Sequence, residues 1–77
     1  MLLGRVAGKV WATKKSPRLT GLALLTVDAE GRTLVCADCV GAGEGEAVLV
    51  ATGGAARVAA GASIPVDAAV VGIVDLP

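Results

Sequence analysis

No uncharged run in this chain exceeds ten residues, and the longest, Ala47 to Ala56, is already broken by Gly53 and Gly54. That punctuation limits the fold more than any other feature. A membrane-spanning helix needs about 20 consecutive apolar residues, and none is present. A parallel β-α-β arrangement needs a crossover of a dozen or more residues, normally a helix, and no second helical segment is long enough. What remains is a succession of short apolar runs separated by Gly, Pro and charged residues, the pattern of a small all-β domain.

Residues 2–11 place Leu2, Val6 and Val10 on one face and Arg5 and Lys9 on the other, as in a half-buried strand. The polar stretch ATKKSPR, with Pro17, reads as a loop. A second strand is expected over 19–27, followed by a turn at Asp28–Gly31 and a hairpin into RTLVCA at 32–37. After GAGEGE (41–46), AVLVA forms a fourth strand. Ala55–Ala60 suits one or two helical turns closed by Gly61. Pro65 then breaks the chain before a fully apolar last strand at 68–74. The expected architecture is a single domain over 1–77: a small five-stranded barrel like the oligonucleotide/oligosaccharide-binding (OB) fold, with one short helix.

Seven basic residues balance seven acidic ones, and the densest basic group is only Lys14, Lys15 and Arg18. Proteins that bind nucleic acid usually carry a clear positive stripe. The alternative reading, an OB-type module for single-stranded nucleic acid, also requires aromatic side chains on which bases stack. Trp11 is the sole aromatic residue, so nucleic acid is not an expected partner. The start, MLLGRVAGKVW, carries Arg5 and Lys9 inside its apolar stretch and lacks a secretory core; a soluble, cytoplasmic protein without membrane contact is expected. A chain of 77 residues with neither a disulfide framework nor a metal staple is marginal as a monomer, which favours an oligomer.

Two motifs invite chemical readings and fail them. GAGEGE lacks the third glycine of the dinucleotide fingerprint, since Glu46 occupies that place, and no Gly-Lys-Ser/Thr comes after it for a Walker loop. It leads into a β-prone run rather than a helix N-terminus, and Glu44 and Glu46 would repel a phosphate. It reads as a tight turn or a point of close backbone approach. CADC ends a strand, so Cys36 and Cys39 point to opposite faces. With no His and no further Cys, a four-ligand zinc site is not available, and free, buried or half-buried thiols are expected. There is no His, Tyr or nucleophile elbow for catalysis. No enzyme activity, cofactor or metal is expected. Asp67 and Asp75, flanking the last strand, read as caps or interface partners.

Three segments, GKVWATKK (8–15), VGAGEGEAVLVATGGAAR (40–57) and PVDAAVVGIVD (65–75), together resemble the EutN/CcmL family of bacterial microcompartment vertex proteins. The resemblance runs from Val6 to Asp75. It implies an OB-like barrel that assembles as a cyclic homopentamer and closes the five-fold vertices of a shell otherwise tiled by hexameric proteins. The implied role is structural, with the protein in the microcompartment shell in the cytoplasm. Five CADC copies on a ring also could not pair off into four-cysteine sites. On this basis Gly41, Ala42, Gly43, Gly45 and Glu46 are expected as assembly-loop residues, with Gly53, Gly54, Ala55, Ala56 and Arg57 as the adjoining turn and helix at an interface or the axis. Arg57 is the expected inter-subunit hydrogen-bond or ion-pair donor. Lys14, Lys15 and Arg18 are candidates for contact with the hexameric shell partner. The chain departs from many family members in its end at Pro77 and its short loop after Trp11.

Overall fold

The structure, a computed structural model, describes residues 1–75. The C-terminal departure from the family at Pro77 lies outside the described residues. Five strands, β1 (Leu2–Lys9), β2 (Leu24–Ala29), β3 (Arg32–Asp38), β4 (Ala47–Thr52) and β5 (Ala68–Val74), close into a barrel in the order β1-β2-β3-β5-β4. A 3₁₀ turn, Pro17–Leu19, lies between β1 and β2, and an α-helix, α1 (Gly54–Ala60), joins β4 to β5. Every pairing is antiparallel except β3–β5, which run parallel and pair at only Ala37↔Ala69 and Asp38↔Val70.

The expected second strand is displaced along the chain. Leu19 belongs to the 3₁₀ turn, where Pro17 supplies the fixed φ and the Ser16 hydroxyl accepts from the Arg18 N–H at 3.3 Å. The ladder with β3 therefore starts at Leu24. At its other end the turn contracts to Glu30–Gly31, with φ of 52° and 75°. Two consecutive positive φ values give the tight hairpin turn whose twist matches that of the strands. Asp28 and Ala29 thus stay in the ladder, opposite Thr33 and Arg32. The Thr33 hydroxyl donates to Asp28 Oδ1 at 2.8 Å.

Alternation along the strands fills the barrel with Val6, Leu25, Val27, Cys36, Val48, Val50 and Val70, all at 2% exposure or less. Each buried Val or Leu contributes about 1.5–3 kcal/mol relative to an exposed position. A second small cluster lies outside the barrel wall, where Ala56 of α1 packs on Ala37 and Ala69. One-residue irregularities at Ala7 of β1 and Val71 of β5 shift the register locally. Such bulges bend a strand and let a short sheet close on itself.

Closure brings β1 very near β2 at Gly4, a residue with no signal in the sequence pattern. A Cβ there would lie 2.7 Å from Val27 Cγ1 and 2.9 Å from the Asp28 carbonyl oxygen. Gly8, further along the same strand, has only Thr26 Oγ1 at 3.7 Å. Gly4→Ala is expected to cost about 1–3 kcal/mol in chemical denaturation, the usual penalty of overpacking, whereas Gly8→Ala leaves the midpoint nearly unchanged.

Candidate assembly site: the loop from Asp38 to Glu46 and its flanks

Asp38 ends β3 and organises the loop beyond it. Its Oδ1 accepts from the N–H groups of Val40 (3.1 Å), Gly41 (2.9 Å) and Ala42 (3.2 Å), and Oδ2 also accepts from Ala42, at 3.1 Å. Glu46 closes the other half, with its Oε1 accepting from Gly43 N–H at 2.6 Å while its own N–H donates to Gly43 O at 3.1 Å. The loop is stitched to β1 by Gly45 N–H to Val6 O (2.9 Å), Val6 N–H to Glu46 O (3.0 Å) and Arg5 Nη1 to Gly45 O (2.6 Å). Gly41 and Gly45 sit at φ of 77° and 85°, conformations that side-chain-bearing residues rarely adopt.

In this geometry the loop's main-chain N–H groups are taken up within the loop itself. A run of main-chain N–H groups makes an anion site, but here the anions are the loop's own carboxylates, Asp38 and Glu46. Asp38 carries the organisation and is not among the residues expected from sequence. The signal for it was an Asp at a strand end followed by C-V-G-A, with a glycine three residues on, the pattern of a side-chain-to-backbone turn.

The expected assembly residues separate into two kinds. Gly41, Gly43, Gly45, Gly53, Gly54, Ala55 and Arg57 are exposed, and Glu46 is half-buried within its own loop. Ala42 turns into the barrel core at 7% exposure, and Ala56 is fully buried beneath α1; both side chains pack inside the protomer. The two glycine segments also do not form one patch. They flank opposite ends of β4, roughly 20 Å apart along a six-residue strand. Lys14, Lys15 and Arg18 are exposed in the β1–β2 connection. The same connection carries Trp11, 86% exposed, with Lys9 Nζ 5.9 Å from the centre of its ring.

Cys36 points into the core and Cys39 points out, as the strand period requires, but Cys39 is exposed rather than half-buried because it lies just past the end of β3. Burial, reinforced by the negative charge of Asp67, pushes the Cys36 thiol up to about 11. Cys39 is also raised, by partial desolvation and then by neighbouring Asp38. Among the described residues no group of three or more His, Cys, Asp or Glu is placed to hold a metal ion. Asp67 makes a structural contact through its main chain, its carbonyl accepting from Gly53 N–H at 2.7 Å.

Asp38→Ala removes the acceptor for three N–H groups and is expected to cost about 1–3 kcal/mol, with faster hydrogen exchange at Val40, Gly41 and Ala42. For Cys36, the folded value lies above the ordinary thiol value of 9.0, so the unfolded chain ionises first. Its contribution to stability is complete below pH 9 and is lost as the pH rises toward 11. Denaturation midpoints should fall across that window, and Cys36→Ala should flatten the fall.

The sequence profile of the family described as "Ethanolamine utilisation protein EutN/carboxysome" matches residues 1–75. The carboxysome shell vertex protein CcmL of Synechocystis sp. is 49% identical over 83 aligned positions, covering 97% of this chain and 83% of that protein. The microcompartment shell vertex protein GrpN of Rhodospirillum rubrum is 47% identical, covering 97% of this chain and 93% of GrpN. The solved structure of GrpN, described as a pentameric microcompartment shell protein, superposes with a TM-score of 0.89 at 44% identity, covering 99% of this chain and 95% of that one. CsoS4B of Halothiobacillus neapolitanus superposes at 0.90 with 33% identity, covering 99% and 100%. With the family match over residues 1–75 and the barrel in agreement, the chain belongs to the EutN/CcmL family of structural, non-enzymatic shell vertex proteins.

Proposed function

We propose that this chain forms a homopentamer that caps the five-fold vertices of a bacterial microcompartment shell and abuts hexameric shell proteins at its outer edge. The observation that carries the reading is the match over nearly the whole chain, in sequence and in backbone, to a pentameric shell protein. The exposed glycines support it physically. Gly41, Gly43 and Gly45 present bare backbone stiffened by Asp38 and Glu46, so a neighbouring subunit can approach without displacing side chains or ordering a floppy loop. Gly53, Gly54, Ala55 and Arg57, at the far end of β4, form a second small-residue segment at another level of the ring, with Arg57 as its hydrogen-bond donor to a neighbour. Lys14 and Lys15, exposed beside Trp11, are assigned to contact with the hexamers.

Native mass measurement on the purified chain should give five copies per particle. A stable monomer at micromolar concentration would overturn the reading. A Cβ at Gly43 would lie 3.2 Å from Glu46 Oε1, so the branched side chain of Gly43→Val displaces that carboxylate and should weaken or abolish the pentamer. Lys14→Glu with Lys15→Glu should leave the pentamer intact. When the variant is co-expressed with hexameric shell proteins, it should reduce capping of closed shells, scored by electron microscopy.

A further inference from the structure

We propose that the outer edge of β3, from Thr33 to Val35, is a docking site for an extended peptide segment of another protein, which adds to the barrel as a short extra strand. This role does not depend on the pentameric ring; the main-chain geometry of one barrel carries it.

Successive residues of a strand aim their N–H and C=O groups alternately at the two neighbouring strands. In β3 the phase is fixed by the Asp38 N–H, which donates to Ala23 O at 2.9 Å on the β2 side. Cys36, Leu34 and Arg32 therefore bond to β2, opposite Leu25, Val27 and Ala29. Ala37, Val35 and Thr33 aim the other way. β5 meets Ala37, but the ladder goes no further. Among the described residues no main-chain group pairs with Val35 or Thr33 on that side.

The entry to β5 explains the gap. Continuing the register would set Asp67 beside Val35 and Pro65 beside Thr33. Pro65 has no N–H to give. The Asp67 carbonyl is already bonded to Gly53 N–H at 2.7 Å, and the Val66 N–H to Ile64 O at 2.9 Å. These bonds hold the chain toward the start of α1 and away from β3. A slot of about 410 Å³ is left between Arg32–Val35 on one wall and Thr52, Gly53, Asp67 and Ala68 on the other.

The chemistry of the slot chooses its occupant. Thr33 and Val35 each offer one N–H donor and one C=O acceptor, at the spacing of a strand. An extended main chain matches such a row, and open strand edges are where peptides add to sheets. A second copy of this chain has no loose strand to insert, because β1, β2, β4 and β5 each lie between two others in the barrel. A flexible segment of a different protein can enter. Arg32 and Asp67, both exposed, balance in charge, and Leu34 and Val35 supply apolar lining. The slot therefore favours an uncharged segment rich in β-branched residues, which also prefer strands.

The probe is an acetylated, amidated hexapeptide of alternating valine and threonine, titrated into isotope-labelled wild-type protein and followed by NMR. In the free protein the Thr33 and Val35 amides should exchange fast with solvent, while those of Leu34 and Cys36 are protected. Peptide should shift the Thr33 and Val35 amides. At about ten times its dissociation constant it should slow their exchange about tenfold. The same peptide N-methylated at its central residues keeps every side chain but cannot pair, and should have no effect. Val35→Pro removes the outward N–H at an edge position, where proline is tolerated. It should stay folded by circular dichroism and lose the peptide response at Thr33. The site is overturned by Thr33 and Val35 amides already protected without peptide, as when a neighbouring copy covers them, or by an absent shift on titration. An N-methylated peptide as active as its parent, or a folded Val35→Pro that responds like wild type, overturns it equally. If Val35→Pro fails to fold, the N-methylated peptide decides alone. The number of copies per particle, measured on the same samples, tests the pentamer separately.

Discussion

The barrel depends on a seam only two residue pairs long. β3 and β5 run parallel and meet only at Ala37↔Ala69 and Asp38↔Val70, yet without that contact the sheet would be open. The seam is reinforced from outside. Ala37 and Ala69 carry the smallest side chain that still has a Cβ, and this lets Ala56 of α1 settle on them until all three are fully buried. Gly53 N–H bonded to the Asp67 carbonyl ties the start of that helix to the segment entering β5. The alanine-rich helix is thus a clamp over the closure point. Larger residues at these positions would hold the helix off the wall and expose the seam to water.

Asp38 links this seam to the candidate site. Its main chain takes part in the β3–β5 pairing, while its carboxylate gathers three N–H groups of the adjoining loop. Ala42, at the end of that turn, is delivered into the core. The glycine loop is therefore held by the barrel at both ends: by Asp38 at β3, and by the Gly45–Val6 and Glu46–Val6 bonds at β1. A loop so constrained loses little further conformational entropy when a neighbour covers it, a favourable property in a subunit built for assembly.

The protomer leaves several large apolar side chains uncovered. Trp11, Leu3, Val35, Val58 and Ile73 all keep more than two fifths of their area exposed. In a chain of 77 residues the core is limited by size, and apolar residues beyond its capacity are free to serve contacts between copies. A shell vertex needs such surplus on more than one side.

Much of this was legible in the sequence alone. The alternation in β1, the apolar runs of β4 and β5, the helix closed by Gly61 and the all-β class arise from local periodicity and turn chemistry, which act over a few residues. The segments 8–15, 40–57 and 65–75 likewise sufficed to place the chain in its family. Local pattern could not place the start of β2, because Pro17 and the 3₁₀ turn hold Leu19 out of the ladder. It could not single out Gly4, whose lack of a side chain matters only because Val27 and the Asp28 carbonyl, more than twenty residues away, come within 3 Å of its missing Cβ. Nor could it show that Ala42 and Ala56 face inward. Sequence determined the number and kind of the strands, turns and helix, since those preferences are local, while the bounds of β2 were set by the Pro17 turn and the hairpin. Barrel closure decided which glycines and alanines are structural and which are left for a neighbour, since that depends on contacts between residues far apart in the chain.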